Sequence, residues 1–246
     1  MSSFWQGFLF ILRGYKISSS VPNAKKWIWI PTLISITIFV LLFSVGTQFL
    51  YGWLAELGRQ YLNFTSEIFL SILLGVIFII TFLSVFILSG YFIYSVASII
   101  ASPFYSVLAE KTLEFRGIRL TSAKTFSGYT KLAVRMLWIS VRRSVVLLTL
   151  FALLFILAWI PGLNLISTLA AFVILAFDIA DYSFEARQMS LASRFADLRS
   201  NILEYFGMGM ALAMAAIIPG LILLVMPYAI VGASDRHAER LKKGSL

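Results

Sequence analysis

The sequence predicts an all-α integral membrane protein with two long transmembrane helices, two partly penetrating helical hairpins tipped by Pro-Gly, and amphipathic helices at the interface. Three observations carry this. The 246-residue chain is 60% hydrophobic and 13% charged, about half the charge of an average soluble domain, so it cannot clothe itself in a wetted surface. Four blocks hold no charged residue: between Lys26 and Glu56, Glu67 and Glu110, Arg143 and Asp178, and Glu204 and Asp235. Each exceeds the roughly 20 helical residues that a hydrocarbon core of about 30 Å requires. The apolar runs also lack the period-2 alternation that a membrane barrel strand needs on its lumen side. Helices remain, because every backbone polar group in hydrocarbon must be paired internally.

Residues 1–20 read as an interfacial helix, with Phe4, Trp5, Phe8, Leu9 and Leu12 at helical spacing ahead of Arg13 and Lys16. An ordinary packing helix would show the same pattern. The stretch lacks the clean apolar core and small-residue cleavage site of a removable signal peptide. Lys25-Lys26 precede the first crossing, residues 27–54, where Trp27, Trp29, Tyr51 and Trp53 stand at the two ends as interfacial aromatics. A short polar turn leads to the second crossing, residues 68–101. At Ser102-Pro103 the chain is expected to break, because proline pushes the preceding residue out of the α region. Pro103 suits the first position of a new helix capped by Ser102, so a fresh helix N-terminus is expected near a membrane edge. The connection at 103–143 is strongly basic from Glu110 on, with eight lysines and arginines set against Glu110 and Glu114.

Two apolar blocks, 144–177 and 205–234, share a central Pro-Gly, Pro161-Gly162 and Pro219-Gly220. The uncharged arms of about 14 to 17 residues make about 21 to 26 Å of helix, short of a full crossing. Each block is therefore either a hairpin that dips and returns or one kinked crossing; as a single helix it would be about 45 to 51 Å, awkward even when tilted. Between them, residues 178–204 form an amphipathic connection, with Leu191, Phe195, Leu198, Ile202 and Tyr205 at helical spacing against Arg187, Arg194, Asp197 and Arg199. The chain ends in a charged tail, 235–246, where the only histidine, His237, is read as solvated. The positive-inside rule then puts both termini in the cytoplasm.

No catalytic set is visible. The absence of cysteine excludes disulfides, thiolate metal sites and a cysteine nucleophile, and there is no phosphate loop, metal-spaced cluster or nucleophile elbow. The chain is not expected to be an enzyme, nor to carry a cofactor or metal or to bind nucleic acid. What remains is basic residues at membrane edges beside the expected helix N-terminus at Ser102-Pro103. Its free N–H groups would favour an anion, with Lys25-Lys26 or Arg142-Arg143 supplying charge. The competing account is that these cations hold topology and touch anionic lipid, at about 1 kcal/mol each. Glu110, Asp178 and Asp181 flank apolar blocks; each either pairs with a neighbouring arginine or marks a functional site.

The run Ala101-Ser102-Pro103-Phe104-Tyr105-Ser106-Val107-Leu108-Ala109-Glu110 resembles the A-x-P-F-x-G-L-L-A-E signature of the CysZ sulfate permease family. Lys25-Lys26 stand where that family has a basic pair, Asp181-Tyr182-Ser183-Phe184 is similar to its D-Y-P-x segment, and Gly207 to Ala233 is similar to its C-terminal hairpin. The resemblance implies a multi-pass bacterial inner-membrane protein, assembled as a homo-oligomer within the lipid bilayer, that takes up sulfate or a related oxyanion for cysteine synthesis. It implies two long helices and two dipping hairpins. It also implies an anion site at Lys25, Lys26, Ser106 and Val107. Around that site, Glu110, Arg135, Arg142, Arg143, Asp181 and Arg187 are expected to form a charged network that lines or gates the path. Ser106 stands where the signature has glycine, and Val107 where it has leucine. The alternative function is a non-transporting membrane scaffold whose cations bind anionic lipid or a partner protein.

Overall fold

A computed structural model gives the fold and describes residues 2–62, 99–118, 148–218 and 220–244, with 75, 76, 79, 120, 141, 145 and 146 as isolated positions. Regular structure among the described residues is entirely helical. In chain order it comprises α1 Ser3–Phe8, α2 Phe10–Ser18, α3 Ala24–Leu62, α4 at residues 99–115, and α5 Leu148–Ala158. It continues with α6 Leu163–Ala186, α7 Leu191–Ser200, α8 Ile202–Ala216 and α9 Leu221–Lys242. Most of the expected second crossing at 68–101 and of the basic connection lies outside the described residues.

Two of these helices contain stretches long and apolar enough to cross a bilayer, Ala24–Gly46 within α3 and Leu163–Ala186. The second corrects the arm length inferred from charge. The uncharged run stops at Asp178, but the helix continues through Asp178, Asp181 and Glu185 to Ala186. Its 24 residues rise about 36 Å. At the breaks before α6 and α9, Gly162 and Gly220 adopt left-handed backbone with φ of 88° and 84°. This region penalises any residue with a Cβ, which is why glycine follows proline there.

Side chains are sorted opposite to a soluble protein. Large apolar residues of α3, α5 and α6, among them Leu33, Val45, Phe155 and Ile166, are exposed, as are Leu191 and Phe195 on α7. Asp197, on the opposite side of α7, is fully buried. In α1 and α2 the buried face is Gly7, Phe10, Gly14 and Ser18, while Trp5 and Leu12 face outward. Lipid rewards this arrangement, since apolar side chains lose nothing by facing hydrocarbon and small residues let helices touch.

The N-terminal helices are consequently clamped onto the C-terminal ones. A Cβ on Gly7 would strike the Glu204 carbonyl oxygen of α8, and one on Gly207 of α8 would strike the Phe4 carbonyl oxygen. The α2 and α9 pair repeats the device, with Gly14 against the Tyr228 carbonyl oxygen and Gly232 against that of Phe10.

Two local expectations are corrected. Residues 99–115 form one continuous helix through Ser102-Pro103, so no fresh N-terminus forms there. Proline biases its predecessor away from α without forbidding it, and membrane helices absorb the lost hydrogen bond; Pro31 and Pro227 likewise sit inside α3 and α9. The segment expected to be a solvated tail is instead the end of α9, with residues 231–238 buried and His237 completely so.

Candidate functional site

The start of α3 lies beside α4. Leu108 packs in one buried cluster with Val21, Ala24, Ile28 and Val231, and the Trp27 and Phe104 rings are 6.2 Å apart. Lys25 and Lys26 project from this start and are exposed, whereas Ser106 is buried and Val107 half-buried. Because α4 is continuous, the amides of Ser106 and Val107 belong to its hydrogen-bond ladder.

Lys25 lines an open pocket of about 280 Å³. A second lysine, Lys16 from the last turn of α2, lines the same pocket, with hydroxyl-bearing Tyr15, Ser18, Ser19 and Tyr228 around it. The pocket owes its shape to the Gly14 crossing, which brings α2 against α9 so that the Tyr15 and Tyr228 rings meet edge to face at 5.4 Å. Lys26, Ser106 and Val107 are not among the residues lining it.

Of the expected path residues, Arg135, Arg142 and Arg143 lie outside the described residues. Glu110 is half-buried on α4. Asp181 pairs with Arg194 across α6 and α7 at 2.5 Å. Arg187 donates to His237 Nε2 at 3.1 Å and to Met189 Sδ at 3.5 Å. Burial lowers the Arg187 pKa, opposed by the field of Asp197.

A chain of alternating charges runs through the end of the molecule where these helices converge. It passes from Arg116 to Asp235, Arg13, Glu239, Arg236, Glu204, Arg240 and finally Asp197. Arg236 grips both oxygens of Glu204 at 2.9 Å, and Arg240 holds Glu204 at 2.8 Å and both oxygens of Asp197 at 3.1 and 2.9 Å. Tyr205 donates its hydroxyl to Asp197. Burial opposes the charges of Arg240 and Arg13, but Tyr205, Asp197 and Glu204 around the first and Glu239 and Asp235 around the second more than offset it and raise both pKa values. Burial likewise opposes ionisation of Glu239, and Arg13 outweighs it to hold the carboxyl below its usual range. Among the described residues no group of three histidine, aspartate or glutamate side chains is placed to hold a metal ion.

The family model described as Sulfate transporter CysZ/Etoposide-induced protein 2.4 matches residues 10–227. The chain belongs to this family. Curated relatives named sulfate transporter CysZ include one from Vibrio atlanticus, 29% identical and aligned over 98% of this chain and 95% of its own length. Others are from Vibrio parahaemolyticus, 27% identical over 96% and 95%, and Pectobacterium atrosepticum, 25% identical over 96% and 86%.

In this member of the CysZ family, sequence reasoning missed Lys16 and the whole alternating charge chain. Lys16 stands nine residues before Lys25, and only the fold of α2 back onto α9 brings the two to one pocket. For the chain a signal did exist. Asp235, Arg236, Glu239 and Arg240 recur at helical spacing directly after an apolar run, the pattern of a helix that continues inward as well as of a solvated tail.

Proposed function

We propose that the chain is a membrane transporter for uptake of sulfate or a related oxyanion. The observation that carries this reading is its near end-to-end similarity to proteins named sulfate transporter. Two exposed lysines at the start of a candidate membrane span support it. In this reading Lys25 and Lys26 attract and hold the anion beside the Ser106–Val107 stretch of α4. Glu110, Arg135, Arg142, Arg143, Asp181 and Arg187 line or gate the path. Lysines hold an oxyanion as point charges, with less geometric selectivity than the bidentate fork of arginine.

The blocks broken at Gly162 and Gly220 act as hairpins that dip into the bilayer and return. Their exposed apolar faces are covered by lipid and by further copies of the chain in a homo-oligomer. Both termini lie in the cytoplasm of a bacterial cell, whose inner membrane the protein spans.

Uptake of radiolabelled sulfate into proteoliposomes tests the reading. Protein-dependent uptake, cut at least several-fold in Lys25→Ala/Lys26→Ala, is expected. No uptake above empty liposomes, or uptake unchanged in the double variant, would refute it.

A further inference from the structure

We propose that Lys16 and Lys25, with the hydroxyls of Tyr15 and Tyr228, form a capture pocket for a tetrahedral oxyanion, which is either free sulfate or the phosphate of an anionic lipid. Two cations from separate helices line one pocket, and no carboxylate is among its described lining residues. Neither lysine makes an ion pair among the described residues, whereas arginines nearby are satisfied: Arg13 pairs with Asp235 and Glu239. Like charges brought together without a counter-ion repel, so the pocket gains from an anion between them.

The hydroxyls divide into two kinds. Those of Ser18 and Ser19 donate back to the Tyr15 and Lys16 carbonyls and fix the end of α2. Those of Tyr15 and Tyr228, residues that also line the pocket, make no hydrogen bond among the described residues, so neither hydroxyl is committed elsewhere. Its volume of about 280 Å³ matches about nine waters at roughly 30 Å³ each. A small oxyanion therefore enters with much of its hydration shell, as suits capture more than discrimination. Exposed Trp29 lines the pocket and exposed Leu33 follows one turn on, so the pocket opens where the apolar face of α3 begins, at the level of lipid headgroups.

The free-sulfate source rests on the transport reading; the lipid source does not. The test uses purified protein in nanodiscs, with wild type, Lys16→Gln, and Lys16→Gln/Lys25→Gln. Lys16 is exposed, so its substitution leaves the fold intact. One arm measures binding of radiolabelled sulfate in phosphatidylcholine discs; the other measures phosphatidylglycerol retained by the protein by native mass spectrometry. Lys16→Gln is expected to weaken binding about fivefold in one arm, which identifies the source, with a larger loss in the double variant. Wild-type behaviour of Lys16→Gln in both arms would overturn the proposal even if Lys25→Ala/Lys26→Ala had abolished uptake. Lys16-dependent binding in a protein that transports nothing would sustain the pocket and refute the transport reading.

Discussion

His237 makes the protein's stability depend on pH in a window where little else titrates. Its imidazole is fully buried, edge-on to Phe184 with ring centroids 5.0 Å apart. Arg187 donates to Nε2, which puts the neutral ring's proton on Nδ1, an atom with no partner among the described residues. Burial, then the charges of Arg240 and Arg187, lower the pKa to about 3 from its ordinary 6.5. The folded value lies below the unfolded one, so the unfolded chain binds the extra proton. The stabilisation is complete above pH 6.5 and is lost as pH falls toward 3. Between pH 7.0 and 5.5 the unfolded state gains about 1 kcal/mol, and the same figure holds for any folded pKa below about 4.5, because the native ring does not titrate in that interval. The chain has a single histidine, so no other imidazole contributes. Thermal melts in detergent should show Tm lower by about 2–4 °C at pH 5.5 than at pH 7.0. His237→Gln should flatten that difference. Equal pH shifts in both proteins, or none in the wild type, would refute a buried neutral histidine.

The remaining predictions concern the charge chain, the helix clamp and Arg187. Arg240→Ala leaves Asp197 with only its neutral Tyr205 and Asn201 donors and Glu204 with Arg236 alone, and breaking such a buried pair costs about 3–5 kcal/mol. A Tm drop of at least about 6 °C is expected, and a drop under about 2 °C would contradict the burial described. Gly14→Leu forces α2 off α9, since the collision is with backbone and cannot be relieved by a rotamer. Limited proteolysis should then release the N-terminal helices, and unchanged protection would count against the clamp. Arg187→Gln keeps a donor for His237 while removing the charge. It should raise the KM for sulfate uptake several-fold with Tm within about 2 °C of wild type, and an unchanged KM would remove Arg187 from the path.

The helical class was legible because uncharged stretches longer than a bilayer admit few other structures. The start of the first long helix was read at Trp27 and lies at Ala24. What sequence reasoning lost depends on partners distant in the chain. Phe4, Trp5, Phe8 and Leu12 define an apolar face whatever they pack against, and nothing local says that the glycines opposite bury themselves instead. Pro103 failed as a boundary for a related reason. A local conformational bias of a few kcal/mol yields when the helix on both sides is held by packing, as α4 is by Ala24, Ile28 and Val231 against Leu108. His237 was misassigned because a run of mixed charge was equated with solvent, although here acids and bases neutralise each other inside the fold.

That neutralisation bears on which cations can handle an anion at all. The alternating chain contains four guanidiniums and four carboxylates, each guanidinium already committed to at least one acid. Drawing an anion into it would mean displacing a buried carboxylate, at a cost comparable to breaking the pair. The chain is thus suited to holding α2, α7, α8 and α9 together and unsuited to conduction. Lys16, Lys25 and Lys26 differ in having no carboxylate partner among the described residues, and Arg187 differs in that its acceptors are a neutral imidazole and a thioether. Positive charge not neutralised by direct ion pairing is what an oxyanion needs, and Lys16, Lys25, Lys26 and Arg187 carry it among the described residues.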